Sequence, residues 1–346
     1  MHKQSYQGGL MSKKQIQKVG DLIRKDEASI QDLEVFHHWR GLHAEMMPLM
    51  ASSIRSKLKR LKLTPLVFSR RLKRYPSIKS KLIRFPDMQL HRMQDIAGMR
   101  IVFSHIDPLN LFIGEMKKTY RSSQTNFEFV RCSDYISYPK PDGYRSIHQI
   151  YKYVKGKHTQ CHGLSLELQI RTKLQHLWAT AVEVLGMGLN SKLKSGEGEE
   201  HYKEFFRLCG DLFALKELKQ LEESQISQKE DLIAKLQALD ASHSILKYLS
   251  ALSVSARQEK RKGDYYFVIW LNLQTRYLQI NGFPKERYSE AQALYDALES
   301  KTHEESYDVV LISLDDFKQI QKAYPNYYLD CKTFIQTLEK EFEKGG

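Results

Sequence analysis

The sequence predicts an α+β chain, α/β being the other arrangement open to helices around a mixed sheet, followed by a compact β-β-α-β-α module. Three observations carry this. Leu164, Leu166, Leu168 and Ile170 alternate with Ser165, Glu167, Gln169 and Arg171, so one strand buries one face and presents a carboxylate, an amide and a guanidinium on the other. The preceding stretch Asp134–His148 holds Pro139, Pro141 and Gly143, which break helix and present Tyr144, Arg145 and His148 from a loop or its exit. Beyond about residue 262 the pattern starts again with a change in charge.

The elements follow in order. A short helix is predicted around 15–24. From Ser29 to Leu63, Phe36, Trp39, Leu42, Met46 and Leu49 recur at helical spacing, with Pro48 as a kink. His91–Phe103 ends in a strand, with Gly98 allowing close backbone approach. A helix over 108–120, strands over 127–131 and 146–154, the Glu167 strand and a helix over 174–187 complete the body. Helices over 202–255 follow a Gly-, Ser- and Glu-rich break. The small module reads as a hairpin (265–273 and 276–280), a helix over 288–300, a strand over 309–313, and helices over 317–323 and 333–342. The units are therefore 1–215, a helical connector 216–262, and 263–346.

Composition excludes several classes. No apolar run approaches the roughly 18–20 residues that span a bilayer, and the first residues lack a signal-peptide core, which places the chain in the cytoplasm and off the membrane. Cys132, Cys161, Cys209 and Cys331 are scattered without a Cys-x-x-Cys pair, against both a disulfide framework and a zinc site. The net charge of +13 is uneven. From Asp264 onward there are 9 Lys and Arg against 14 Asp and Glu, a balance of −5, and before it 45 against 27, a balance of +18. A basic body points to a polyanionic ligand, and an acidic module to attraction between the two. Residues 51–84 hold twelve Lys or Arg and no acid, which favours a phosphate-rich partner over a merely solvated face.

Within that run Arg71 and Lys73 precede Pro76 at a helix start, and Ser77 and Lys81 lie one turn apart, a ready phosphate site. Asp95 and Arg100 flank Gly98. Asp95 gains meaning beside Glu167, because two carboxylates near a cationic pocket suit a magnesium–nucleotide site. A pure RNA-binding module would gain nothing from carboxylates beside phosphates.

Taken together, Arg71-x-Lys73-x3-Ser77-x3-Lys81, Asp95-x4-Arg100, Tyr-Pro-Lys-Pro-Asp-Gly-Tyr144-Arg-Ser-Ile-His148 and Glu167-Leu-Gln-Ile-Arg-Thr172 closely resemble the RelA/SpoT synthetase domain over roughly residues 35–210. The resemblance implies a nucleotidyltransferase-like fold and pyrophosphate transfer from ATP to a ribose 3′-hydroxyl. It implies that Arg71 and Arg100 sandwich the adenine, that Lys73, Ser77 and Lys81 hold the phosphates, and that Asp95 and Glu167 serve Mg2+. Glu167 would also help deprotonate the acceptor. Tyr144 would stack on the acceptor base, with Arg145 and His148 on the acceptor and Gln169 and Arg171 shaping the floor.

The fused acidic module resembles that of toxin–antitoxin small alarmone synthetases of the capsid-sensing (CapRel-like) kind. In that group a zinc-finger-like C-terminal domain without zinc restrains the enzyme through Tyr-x-x-Tyr, matched here by Tyr324 and Tyr327. The resemblance implies the 3′-CCA end of tRNA as acceptor, release by a phage capsid protein, and arrest of translation. GDP or GTP is the alternative acceptor, as in an ordinary (p)ppGpp synthetase.

Overall fold

The structure is a computed structural model that describes residues 11–120, 125–188, 200–243, 245, 246, 249, 266–272, 278–301, 307–313 and 331–343. Tyr324, Tyr327 and the helix expected over 317–323 lie outside the described residues.

Two helices open the chain. Ser12 accepts from the Gln15 amide to start α1 (Lys13–Lys25), and Asp26 ends it in the left-handed region at φ 63°. Ser29 and Asp32 form a reciprocal capping box at the start of α2 (Ile30–Arg60). As expected, the helix runs through Pro48. Met46, Met47 and Met50 are buried on either side of Pro48. Tertiary burial thus holds the turn that lacks one backbone donor. The α2 stripe serves two cores. Phe36 and Trp39 pack with Ile16, Ile23, Ile78 and Leu82, while Met46, Met50, Ile54 and Leu58 join the apolar face of the sheet.

The acid-free run 51–84 spans three elements. It crosses the end of α2, the strand β1 (Val67–Leu72) and α3 (Tyr75–Arg84). Next come β2 (Ala97–Phe103), α4 (Ile106–Tyr120), β3 (Phe127–Asp134), β4 (Ile147–Tyr153) and β5 (Ser165–Thr172). They form a five-stranded mixed sheet in the order β1-β2-β5-β4-β3, with β2 and β5 parallel and the other pairs antiparallel. The alternation read from the sequence holds. Leu166, Leu168 and Ile170 are fully buried with Met99, Ile101, Phe112 and Met116, leaving Glu167 and Gln169 on the opposite face.

A second layer is helical: α5 (Lys173–Gly188), α6 (Glu200–Lys216) and α7 (Glu223–His243). The small module contains β6 (Tyr266–Asn272), β7 (Leu278–Phe283), α8 (Tyr288–Lys301) and β8 (Tyr307–Ser313), with an antiparallel sheet ordered β7-β6-β8. Val268, Ala291, Tyr295 and Val309 form its core.

One boundary changes. The terminal helix α9 (Lys332–Phe342), expected within the unit 263–346, leaves that module's core. Its buried Phe334, Ile335 and Leu338 instead join Phe206, Phe213 and Leu236 in the helical layer. The apolar stripe of α9 was readable; its partner was not. Among the described residues no helix is long and apolar enough to cross a membrane, and no three His, Cys, Asp or Glu side chains gather as a metal cluster.

Candidate active site

Strand register builds the site. Arg71 of β1 lies opposite Gly98 of β2, and Gly98 lies opposite Glu167 of β5. Directly paired residues share a face, so the missing side chain at Gly98 leaves a gap between a guanidinium and a carboxylate. One row along, Ser69, Arg100, Gln169 and His148 line up across four strands. An open pocket of 90 Å³ forms there, lined by Ser69, Arg71, Lys73, Asp95, Arg100, Glu167 and Gln169 among others.

Beside this pocket two cations converge on one carboxylate oxygen. Lys73 Nζ lies 3.1 Å and Lys81 Nζ 2.9 Å from Asp95 Oδ2. Burial alone would raise the Asp95 carboxyl, but the charges of Lys73 and Lys81 and their hydrogen bonds hold it at about 2. Burial lowers the Lys73 ammonium, and its pairing with Asp95 only partly opposes this. Asp95 Oδ1, by contrast, is buried with no hydrogen-bond partner among the described residues. A buried carboxylate oxygen left unsatisfied is costly, and here it borders the pocket that also holds Glu167. That donor set fits a hard divalent cation whose remaining ligands are phosphate and water oxygens. Ser77 stands on the first turn of α3, one turn before Lys81, and does not line the pocket.

The other half of the site is a closed hydrogen-bonded ring. Gln169 Nε2 donates to Glu167 Oε2 at 2.8 Å, and Arg171 donates to Gln169 Oε1 at 3.2 Å and to the Tyr144 hydroxyl at 2.7 Å. The Tyr144 hydroxyl lies 2.7 Å from His148 Nε2, and His148 Nδ1 lies 2.9 Å from Glu167 Oε1. An ionised carboxylate only accepts, so Nδ1 carries the proton toward Glu167. Burial would raise the Glu167 carboxyl, yet the hydrogen bond and charge of His148 bring it below its ordinary value. Burial would lower His148, yet Tyr144 and Glu167 raise it. The Tyr144 phenol, pushed up by burial, is drawn down to about 7 by the Arg171 guanidinium and His148. The site therefore holds an imidazole–carboxylate pair whose Glu167 member lines the pocket.

Local chemistry shapes the loop that delivers Tyr144. Asp134 Oδ1 accepts from the Ile136 and Ser137 amides, and Asp142 Oδ1 accepts from the Tyr144 amide. Gly143 sits at φ +87° against α6, where a Cβ would meet Arg207 Cα at 2.9 Å. A Cβ on Gly210 would meet Gly143 O at 2.5 Å, so the two glycines permit one close crossing.

Several residues stand differently from what the resemblance implies. The Tyr144 hydroxyl is tied into the ring, and Lys140 Nζ lies 5.0 Å from its ring centroid and 4.9 Å from that of Tyr135. His148 meets Glu167 rather than standing apart for acceptor phosphates. Arg145 does not join the pocket. Its guanidinium pairs with Asp211 at 3.0 Å and donates to the Gly210 and Ile136 carbonyls, pinning the loop to α6. Sequence reading missed Ser69, which shares the face of Arg71 by the two-residue period of β1 and could have been found so. It also missed Lys140 and Trp178, which packs edge-on to Tyr144; neither carries a local signal.

The chain is similar to several known proteins. Residues 70–186 match the family model described as the region found in RelA / SpoT proteins. The chain is 32% identical over 127 residues to the GTP pyrophosphokinase YwaC of Bacillus subtilis, covering 35% of this chain and 58% of that protein. It is 33% identical over 112 residues to the GTP pyrophosphokinase YjbM of the same organism, covering 32% of this chain and 51% of the relative. The match thus spans only about half the length of these relatives. Among solved structures, small alarmone synthetase 2 from Bacillus subtilis aligns at 21% identity and a TM-score of 0.44, over 56% of this chain and 97% of that one. Small alarmone synthetase 1 bound to pppGpp aligns at 22% identity and a TM-score of 0.43, over 60% and 97%. The hydrogen-bonded ring lies wholly within the matched residues 70–186.

Proposed function

We propose that this chain is a pyrophosphokinase that moves the β,γ-pyrophosphoryl group of ATP onto a ribose 3′-hydroxyl. The observation that carries the reading is Glu167 facing Asp95 in one pocket, with Lys73 and Lys81 converging on the latter. The acceptor oxygen bonds to the β-phosphorus, the bond from that phosphorus to the α–β bridging oxygen breaks, and AMP leaves. Glu167, ionised and oriented by His148 and Gln169, takes the hydroxyl proton. Lys73, Lys81, Arg71 and Arg100 stabilise charge developing on the phosphoryl oxygens. Asp95 and Glu167 would hold Mg2+, which when bound supplies further charge neutralisation at the transferring phosphates.

The acceptor in this reading is the 3′-CCA end of tRNA. Its support is the basic body, with Arg55, Lys59 and Lys62 exposed near the end of α2, and the likeness to capsid-sensing toxin–antitoxin enzymes. The C-terminal module then acts as an antitoxin, restraining the enzyme through Tyr324 and Tyr327 until a phage capsid protein releases it. A second reading, GDP or GTP as acceptor, is favoured by the names of the relatives, both GTP pyrophosphokinases.

The test uses the full chain carrying Tyr324→Ala and Tyr327→Ala with γ-labelled ATP. Label is expected on tRNA and not on tRNA lacking its CCA end. Label on guanine nucleotide alone would overturn the tRNA acceptor and leave the second reading, and label on neither would overturn pyrophosphate transfer. In cells the double variant is expected to be toxic where the parent chain is harmless. Equal growth of the two strains would remove the tyrosine pair as the restraint.

A further inference from the structure

Arg40 lies a third of the way along α2 among apolar neighbours and is 3% exposed. A buried guanidinium needs every donor satisfied, and its partners come from two different units. From α8 of the small module, Glu299 Oε2 accepts from one terminal nitrogen at 3.0 Å and the Tyr295 hydroxyl from the other at 2.6 Å. Both members of the Arg40–Glu299 ion pair have side chains 4% exposed. From the nucleotide-binding body, the backbone carbonyl of Lys73 accepts from Arg40 Nε at 2.8 Å.

Lys73 is itself held from the other side. Its amide donates to the Ile96 carbonyl at 2.7 Å, next to Asp95, and its ammonium reaches Asp95 Oδ2 at 3.1 Å. The exit of β1 is therefore clamped between the Asp95 segment and Arg40, and Arg40 is in turn completed by α8. Removing α8 would leave a buried cation with one carbonyl as its remaining anionic-end partner among the contacts described, so the side chain would have to turn toward water and release Lys73 O.

We propose that Arg40 is a positioning residue through which the docked C-terminal module sets the phosphate-binding lysine, so that the module completes the nucleotide site as well as restraining it. The inference rests on the pyrophosphokinase reading only for the identity of the nucleotide. It is distinct from restraint by Tyr324 and Tyr327: α8 is an anchor whose undocking weakens nucleotide binding. Coupling runs through one side chain with partners on both units, so each unit's state biases the other.

The experiment uses the full chain with Tyr324→Ala and Tyr327→Ala, read by hydrogen exchange and by affinity for a non-hydrolysable ATP analogue. Glu299→Ala is expected to strip exchange protection from 288–301 and from the amide of Lys73 together, and to weaken the analogue at least about fivefold. Arg40→Lys keeps a cation for Glu299 but lacks the planar fork that reaches three acceptors at once. It is expected to leave α8 protected while the Lys73 amide and the affinity are lost, and it also serves if Glu299→Ala fails to fold. Loss of α8 protection with an unchanged Lys73 amide and unchanged affinity would overturn the coupling. Retained α8 protection in Glu299→Ala would overturn the ion pair as the anchor. If the parent does not bind the analogue, the pyrophosphokinase reading fails, and the exchange arm alone decides the role of Arg40.

Discussion

Glu167→Gln is expected to lower turnover by about 10³-fold, within the range that loss of a positioned general base produces. Affinity for ATP should change far less, since Lys73, Lys81, Arg71 and Arg100 remain. The substitution keeps the size of the side chain and its capacity to bond Gln169, but removes the charge that His148 is arranged to hold. With the carboxylate gone His148 loses one of the groups that raise it, so the imidazole should titrate lower, visible by NMR. Retained turnover would remove Glu167 from proton transfer. A loss confined to KM would assign it to binding instead. Either outcome would leave the phosphate cradle intact and send the search for the base to the remaining ring members, Tyr144 and His148.

Phe334→Ala is expected to destabilise the chain by about 3–5 kcal/mol, the usual cost of truncating a fully buried aromatic residue. Phe334 is 0% exposed and sits 5.9 Å from Phe206 and 5.7 Å from Phe213 between ring centroids. It fills the centre of the layer formed by α5, α6, α7 and α9. At roughly 2–4 °C per kcal/mol for a body of this size, the melting temperature should fall by about 6 °C or more. A shift below about 2 °C would show that α9 does not hold this layer. The consequence reaches the site. Trp178 Nε1 donates to the Phe206 carbonyl at 2.7 Å, and Trp178 packs against Tyr144, so a loosened layer should also weaken the ring. Glu341 adds a buried tie from α9 to Lys216 of α6 and to Lys229 of α7, the latter at 2.8 Å. Shortening the chain after the helical connector would strip this helix away and expose its apolar partners. Tests of restraint by the C-terminal module are therefore sound only in the full chain.

Legibility varied with the range of the physical cause. The Glu167 strand was readable because a two-residue period separates faces whatever lies across from them, and the structure keeps that separation. Asp95, Arg71, Lys73 and Arg100 were readable as types suited to a nucleotide; register places Arg71 and Arg100, and Lys73 and Asp95 join them in one pocket from just beyond the strand ends. The long helix around Pro48 was readable from its stripe, and burial of the methionines beside the proline carries it through. The partners of Arg145 were not readable. It sits between two site residues in the chain, yet its guanidinium turns to Asp211 and the Gly210 carbonyl, partners set by the crossing of Gly143 over Gly210.

The sequence by itself determined the α+β class, the strands and helices of the body other than β1, the polar sheet face and the residue types suited to a nucleotide. These depend on periodicity and on local conformational preference, which neighbouring residues encode. Only the tertiary structure decided that Tyr144, His148, Glu167, Gln169 and Arg171 close into a ring, that α9 belongs to the helical layer, and that Arg40 answers to Glu299, 259 residues away. The reason is physical. A buried charge or an apolar stripe announces that it needs a partner, but which partner satisfies it is fixed by packing between segments far apart in the chain.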